Sequence, residues 1–294
     1  MDLPPLQTAD LDGPISYREW EGDPSTTFLL VHGLGGSQLT WSLVAPGLAG
    51  LGRVLAVDLI GFGTTPAAGR PSGLMDQRRM LSGFLRERAT GRVVVCGNSM
   101  GGALGLLQAV VEPASVAGLT LTSSVFLPMR GGAPHPAVGA VFGLYGTPRL
   151  GDWFVRARFG RADVETLVRA GFRMITSDPR SVPEDVIRAT IELERQRRAD
   201  PEAPAAFLGA ARSMLRLGRR PDIARRVMDG VACPVLVLHG RRDRLVPVAW
   251  AEAAIAAHPA WRYRLFADLG HVPQLEAPGR WLSAVADWFA EGID

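Results

Sequence analysis

The sequence contains no lysine, so all 32 of its basic side chains are arginine. Its two cysteines, Cys96 and Cys233, are too few for a disulfide framework. Two cysteines without a nearby histidine cluster also do not make a zinc site, so we expect no bound metal. Every apolar run is too short to span a bilayer, and we therefore expect no stable membrane insertion.

Two further absences concern location and partners. The first 20 residues lack the basic start and apolar run of a secretory signal peptide, which predicts a cytoplasmic location. The arginines form no run longer than two, and no nucleic-acid-binding motif is present, so nucleic acid is not an expected partner despite the net charge of +3. The sequence makes no prediction of the oligomeric state.

The beginning and the end of the chain show alternating strand and helix patterns. Buried apolar runs at 27–31, 53–59 and 93–96 are separated by segments of helical composition. Strand patterns return at 116–121 and 235–238. This alternation predicts an α/β fold with a parallel sheet and right-handed crossovers.

The middle of the chain, residues 126–230, is chemically distinct from the rest. It contains 18 arginines against 12 acidic residues, a net charge of +6, whereas the remainder has a net charge of −3. It shows no convincing strand pattern, and apolar residues at helical spacing indicate three helices within 164–175, 186–193 and 207–215. We therefore predict a helical insertion of about 100 residues.

The motif Gly97-x-Ser99-x-Gly101 stands between a predicted strand and a predicted helix. A serine on such a tight turn is a candidate nucleophile, and the two glycines allow the turn to approach its neighbours. The N–H groups that begin the following helix, starting with Met100, would face developing negative charge.

A second glycine-rich motif, His32-Gly33-Leu34-Gly35-Gly36, directly follows a buried strand. Glycines there allow a main-chain N–H to point inward, as an oxyanion hole requires. We predict the N–H groups of Leu34 and Met100 as the donors, with Gly35 as the alternative if the loop is shifted by one residue. His32 itself is interpreted as a structural residue that braces the loop.

A serine nucleophile needs a base and an orienting carboxylate. Of the five histidines, His271 lies in a loop after the last predicted strand, at the carboxyl end of the sheet. Asp243 follows the strand at 235–238, and Asp58 is the competing acid, interpreted as a turn residue. The order Ser99, Asp243, His271 is the order of one known triad fold.

These motifs resemble the α/β-hydrolase superfamily, in its form with a helical cap. The resemblance rests on HGLGG at 32–36, DLIGFG at 58–63, GNSMGG at 97–102, GRRD at 240–243 and GHVPQLEAP at 270–278. It implies a mostly parallel central sheet of about eight strands flanked by helices. The core domain would comprise 1–125 and 231–294, and the all-helical cap 126–230. It further implies Ser99 as nucleophile, His271 as general base, Asp243 as its partner, a small-molecule substrate and no cofactor.

A serine at the elbow favours acyl chemistry, because relatives that open epoxides or displace halide usually carry aspartate there. We predict a carboxylic ester hydrolase that works through an acyl-enzyme on Ser99. The alternative is a C–C bond hydrolase of ring-cleavage products, whose elbow GNSMGG resembles. That family tends to have a tryptophan where this sequence has Val272. Thioesterase and lactonase activities remain open, whereas a non-catalytic scaffold is disfavoured because no triad member is missing.

Substrate preference is expected to depend on the cap. We predict substrate contacts from Gly33, Gly35, Phe126, Trp153 and Val272. A few further apolar cap side chains are expected to line a tunnel above Ser99 and to favour an apolar substrate. The candidates are Phe154, Phe159, Phe172, Met174, Phe207 and Met214. The positive charge of the cap additionally permits the attraction of anionic substrates.

Overall fold

The computed structural model describes residues 3–125 and 132–292. Within these two ranges, eight strands form a single sheet in the order β1-β2-β4-β3-β5-β6-β7-β8. The strands are β1 (Gln7–Asp10), β2 (Pro14–Trp20), β3 (Thr26–Val31), β4 (Arg53–Val57), β5 (Arg92–Asn98), β6 (Gly118–Thr122), β7 (Val235–Gly240) and β8 (Arg262–Phe266).

Strands β3 to β8 are parallel, whereas β1 pairs antiparallel with β2 and β2 with β4. Strands β3 and β7 are buried along their whole length, as continuous apolar runs in parallel sheets are. The predicted α/β fold with a mostly parallel sheet of about eight strands is therefore confirmed. Because the central strands are parallel, their carboxyl ends meet at one edge of the sheet, where ligands bind in such folds.

Helices cover both faces of the sheet. The core helices are α1 (Ala45–Leu48), α2 (Leu74–Arg88), α3 (Met100–Val111), α10 (Val248–Ala257), α11 (Pro273–Glu276) and α12 (Pro278–Ala290). Helices α2, α3 and α10 share one apolar cluster with the sheet, and α1 and α12 share a second cluster on the other face. Trp281 of α12 is fully buried, and its indole N–H donates to Thr122 Oγ1 at 2.9 Å.

Between β6 and β7 the structure describes residues 123–125 and 132–234, and the regular elements within these residues are all helices. Its helices, called the cap helices below, are α4 (Pro136–Gly146), α5 (Leu150–Arg161), α6 (Val164–Ile175), α7 (Glu184–Arg197), α8 (Ala203–Gly218) and α9 (Pro221–Asp229). Three of these six were expected from periodicity. The division into a core domain (1–125 and 231–294) and a cap domain (126–230) remains a prediction.

One strand was not identified from the sequence. Strand β1 is four residues long, is half-polar (Gln-Thr-Ala-Asp) and pairs only with β2 through a tight turn. Its register places Asp10 opposite Pro14, at the edge of the sheet.

None of the helices in the described ranges has both the length and the apolar character that crossing a membrane requires.

Candidate active site

Ser99 stands on a sharp turn between β5 and α3 at the carboxyl edge of the sheet. Its backbone has φ 55° and ψ −115°, a strained conformation for a residue other than glycine. The turn is held tightly, because a Cβ on Gly101 would lie closer than 3.0 Å to the main-chain oxygen of Val31. A Cβ on Gly97 would similarly collide with the backbone of Gly101. These close backbone contacts on both sides hold Ser99 in its strained conformation.

The glycine loop lies directly against this serine. A Cβ built on Gly33 would approach Ser99 Cβ to 3.0 Å, so only glycine fits there without displacement. The Gly36 N–H donates to the Gly33 carbonyl at 3.0 Å, and Gly35 has φ 74°. This bond closes a compact turn beside Ser99, with Leu34 and Gly35 as its two central residues.

His32 braces the loop from behind. The Leu59 N–H donates to His32 Nε2 at 3.1 Å, so Nε2 is the unprotonated nitrogen, and Nδ1–H donates to the Gly33 carbonyl at 2.7 Å. Complete burial lowers the pKa of His32 to about 4. Because both nitrogens are occupied by the backbone, His32 has no free nitrogen to accept a proton from Ser99.

His271 and Asp243 form a close buried pair. His271 Nδ1 lies 2.7 Å from Asp243 Oδ2, and the carboxylate can only accept, so Nδ1 carries the proton and Nε2 is left as the basic nitrogen. The N–H groups of Leu245 and Val246 donate to Asp243 Oδ1 at 2.8 and 2.9 Å. Burial alone would raise the pKa of Asp243, but the charge and hydrogen bond of His271 hold it below the ordinary value.

A second histidine, His239 at the end of β7, lies beside this pair. Its Nε2 is 3.5 Å from Asp243 Oδ2 and donates to the Val246 carbonyl at 3.0 Å. Burial lowers the pKa of His239, although the charge of Asp243 acts in the opposite direction. A neutral His239 adds a dipole, but no charge, next to the carboxylate.

The main chain of His271 is anchored on both sides. The Asn98 amide donates to the His271 carbonyl at 3.2 Å and to the Thr122 carbonyl at 3.1 Å. The His271 N–H donates to the carbonyl of Ile175, the last residue of cap helix α6, at 2.7 Å. The residue that precedes the serine and the cap therefore both help to set the position of the histidine.

Ser99 and His271 line the same cavity, which has a volume of about 800 Å³ and lies between the carboxyl edge of the sheet and the cap helices. The core side contributes the glycine loop and Val272. Apolar cap side chains form much of the remaining wall: Val138, Phe159, Val168, Phe172, Phe207 and Met214. A cavity of this size and character fits a small, largely apolar molecule.

The alpha/beta hydrolase family matches residues 28–285 of the sequence. The chain belongs to this family. It is 34% identical over 257 residues to a pimeloyl-[acyl-carrier protein] methyl ester esterase of Aromatoleum aromaticum, a match that covers 85% of this chain and 92% of that protein.

The hydrolase is also 28% identical over 260 residues to a 2-hydroxy-6-oxononadienedioate/2-hydroxy-6-oxononatrienedioate hydrolase of Cupriavidus pinatubonensis, covering 87% and 83% of the two chains. It spans only 65% of the length of another relative, the dihydrolipoyllysine-residue acetyltransferase component of the acetoin cleaving system of Cupriavidus necator, to which it is 27% identical. Among solved structures, a thermophilic esterase from Thermogutta terrifontis superposes with a TM-score of 0.68 at 23% identity and 99% coverage of both chains. That likeness shows the fold alone.

The structure brings most of the predicted site residues of this hydrolase together. Gly33, Leu34, Gly35 and Val272 line the cavity beside Ser99 and His271. Met100 begins α3 with its side chain fully buried, and a first helical residue carries an N–H without an intrahelical acceptor. The oxyanion role of the Leu34 and Met100 N–H groups remains a prediction.

Two predicted substrate contacts have a different outcome. Phe126 lies outside the described residues. Trp153 does not belong to the cavity wall: its side chain is 62% exposed, whereas Val155, on the opposite side of α5, is fully buried. Of the other cap candidates, Phe154 is absent from the wall and packs near Tyr145, with ring centroids 6.2 Å apart. The cavity wall includes Phe159, Phe172, Met174, Phe207 and Met214.

The charged side chains of the cavity were not identified from the sequence. The described lining residues include three arginines, Arg158, Arg197 and Arg198, and one glutamate, Glu194. Arg197 is buried; its guanidinium carbon lies 5.0 Å from the ring centroid of Phe62, and its Nη1 donates to Glu194 at 3.2 Å. Burial lowers the pKa of Arg197. Charged residue types predict exposure to solvent, and the tertiary packing instead places these side chains at the cavity.

Asp58, the alternative candidate for the acid of the triad, has a structural role. Its carboxylate accepts from the N–H groups of Gln38 at 2.7 Å and Thr64 at 2.9 Å, which braces the loop after β4. Burial raises its pKa to about 6. Within the described ranges, no group of three or more histidine, cysteine, aspartate or glutamate side chains is arranged to hold a metal ion.

Proposed function

We propose that this hydrolase cleaves carboxylic esters of small, largely apolar substrates through an acyl-enzyme on Ser99. The observation that carries the proposal is the strained serine turn, which shares one cavity with a histidine whose Nδ1 is held by a buried aspartate. This combination supports a serine nucleophile with a neutral histidine as its base.

In the proposed reaction, Ser99 Oγ attacks the ester carbonyl carbon and its proton passes to His271 Nε2. The N–H groups of Leu34 and Met100 stabilise the oxyanion. The alcohol leaves with the proton from Nε2, and Ser99 keeps the acyl group. Water then attacks the acyl-enzyme, and Nε2 takes one proton from it. The bond between Ser99 Oγ and the acyl carbon breaks, Nε2 returns the proton to Ser99 Oγ, and the acid leaves.

Asp243 would stabilise the imidazolium that forms twice in this cycle. Its two oxygens have separate partners, because Oδ1 accepts from the backbone while Oδ2 faces His271. The carboxylate cannot rotate without losing the backbone bonds. Such preorganisation supports catalysis, since no reorientation is needed when the charge develops.

Hydrolysis of a C–C bond in ring-cleavage products is the second candidate. Two observations favour it: the relationship to the hydrolase of Cupriavidus pinatubonensis and the excess of arginine among the charged lining residues. Arginine is the side chain best suited to bind carboxylates. A substrate of this class carries such groups, whereas a simple alkyl ester does not.

A p-nitrophenyl ester series from acetate to palmitate tests the leading proposal with the wild type and Ser99→Ala side by side. We expect turnover on short to medium chains that is lost in the variant. Labelling with a fluorophosphonate should modify the wild type alone. Turnover that persists in folded Ser99→Ala would refute the nucleophile, and absent ester turnover with rapid cleavage of a ring-cleavage dienoate would favour the second candidate.

A further inference from the structure

The loop that carries His271 packs against the cap as well as against the core. Val272 and Leu275, which follow the histidine, belong to the same buried cluster as Val168 and Phe172 of α6 and Ile187 of α7. The catalytic loop and the first part of the cap thus share one small hydrophobic core. Any displacement of α6 would disturb the packing of that loop.

One carboxylate joins the two segments by hydrogen bonds. Glu276, the last residue of α11, is 8% exposed. The Gly270 N–H donates to its Oε1 at 2.8 Å. The N–H and hydroxyl of Ser177, just beyond α6, both donate to its Oε2 at 2.7 Å. Glu276 therefore holds the residue before the histidine with one oxygen and the cap with the other.

The backbone between these bonds is in direct contact. A Cβ on Gly270 would lie 2.8 Å from both the Ile175 oxygen and the Ser177 nitrogen, so the two chains touch without space for a side chain. The His271 N–H donates to that same Ile175 oxygen at 2.7 Å. The histidine main chain and the end of α6 are consequently locked together by four hydrogen bonds, three of which involve Glu276.

We propose that Glu276 is a positioning residue that makes the catalytic placement of His271 depend on the seating of cap helix α6. The proposal rests on the function proposed above, because it assigns His271 the role of base. When α6 is seated, the Ile175 carbonyl holds the His271 N–H directly, and Ser177 holds Glu276, which in turn holds Gly270. Asn98 fixes the loop from the core. When α6 lifts, the histidine loses its cap-side anchors, so hydrolysis is confined to the closed cavity.

The replacement Glu276→Gln disrupts the hydrogen bonds of this side chain while keeping its size and shape. Both oxygens of Glu276 face donors, so an amide NH₂ group necessarily opposes an N–H group. We expect kcat on a p-nitrophenyl ester to fall about 10- to 100-fold, with KM changed less than about threefold, because small misplacements of a catalytic group cost rate more than binding.

Two variants on the cap side separate this coupling from a general loss of stability. Ser177→Ala removes one of the three hydrogen bonds to Glu276, so kcat should fall by about three- to tenfold. Ser177→Thr keeps the hydroxyl group, and its kcat should equal that of the wild type. In the double variant Glu276→Gln/Ser177→Ala, the fold-loss of kcat should be smaller than the product of the two single losses, because both substitutions act on one interaction.

Glu112→Gln is the matched control. Its carboxylate accepts from Ser82 Oγ at 2.6 Å and Arg78 Nη1 at 2.8 Å at the far end of α3, so the substitution also breaks side-chain hydrogen bonds. We expect kcat within about twofold of the wild type, even if thermal stability falls.

Hydrogen exchange followed by mass spectrometry supplies a readout that does not need turnover. In Glu276→Gln, peptides that contain Gly270 and His271 should exchange at least about tenfold faster, and those from β5 at the wild-type rate. Unchanged exchange of the loop, or wild-type kcat in folded Glu276→Gln, would overturn the proposal, as would a kcat loss that Ser177→Ala does not share. If the wild type cleaves no ester, the proposed function fails, and the exchange rates alone decide the coupling.

Discussion

Replacing Asp243 by asparagine should reverse which nitrogen of His271 carries the proton. The N–H groups of Leu245 and Val246 point at Oδ1 from 2.8 and 2.9 Å, so an amide in this place must keep its oxygen there. Its NH₂ group then faces His271 Nδ1, which has to accept. The proton moves to Nε2, and the histidine can no longer take a proton from Ser99.

The size of the effect follows from this fixed orientation. A histidine in the wrong tautomer costs a Ser-His-Asp triad about 10⁴-fold in kcat, or roughly 5 kcal/mol of transition-state stabilisation. Asp243 is buried on all sides and offers no alternative pose that would soften the loss. We therefore expect a drop of about 10³- to 10⁴-fold in kcat for p-nitrophenyl butyrate, measured by the release of nitrophenolate.

Asp58→Asn is the matched control, because Asp58 is also a fully buried aspartate that follows a strand of the same sheet. Its oxygens accept from Gln38 and Thr64 rather than from a residue of the triad, so kcat should stay within about threefold of the wild type. A loss of less than about tenfold in folded Asp243→Asn would show that the backbone donors do not fix the amide, and the tautomer argument would fail.

Further expectations concern packing, pocket size and pH. Gly101→Ala should lower the free energy of unfolding by about 3 kcal/mol or more in urea titrations, because its Cβ would meet main-chain oxygen at the end of β3. Gly143 on α4 faces open space, so Gly143→Ala should raise the free energy of unfolding by up to about 1 kcal/mol. Phe207→Ala should shift the chain-length optimum of the ester series toward longer acyl groups, because its ring forms part of the cavity wall; an unchanged optimum would place the acyl group elsewhere. Because burial lowers the pKa of His32 to about 4, its contribution to stability is complete above about pH 6.5 and is lost as the pH falls toward 4. Asp58, whose pKa burial raises to about 6, opposes this loss because the folded state binds its proton more tightly than the unfolded chain. Asp58→Asn should therefore lose more unfolding free energy than the wild type between pH 6.5 and pH 4, and equal losses would contradict the two shifts.

The sequence was most informative where backbone geometry restricts the residue type. Gly97, Gly101 and Gly33 occupy positions where a Cβ has no room, and this constraint made the serine turn and the glycine loop recognisable. Strands β3 and β7 were predicted because a strand buried on both faces must be apolar throughout.

Part of the cap was harder to predict because helices α4 and α5 lack a clear polar side. Helix α4 combines glycine with apolar residues around its whole surface, so no period identifies it. The presence of an aromatic residue likewise does not tell whether its side chain faces the cavity or the solvent. Trp153 faces solvent, whereas Phe159 faces the cavity. The inward direction of Arg197 depends on ring contacts with Phe62 and Phe159, residues far apart in the sequence.

The pairing of β6 with β7 has a consequence for how the chain folds. Leu119 pairs with Val235, so this contact closes a loop of roughly 115 residues, whereas the pairing of β3 with β5 closes one of roughly 65. Loop-closure entropy therefore delays the second half of the sheet relative to the first. The serine belongs to the early half, and both of its partners follow β7. In a refolding experiment, recovered hydrolysis should consequently lag behind the recovery of helical circular dichroism and report the closure of the longest loop.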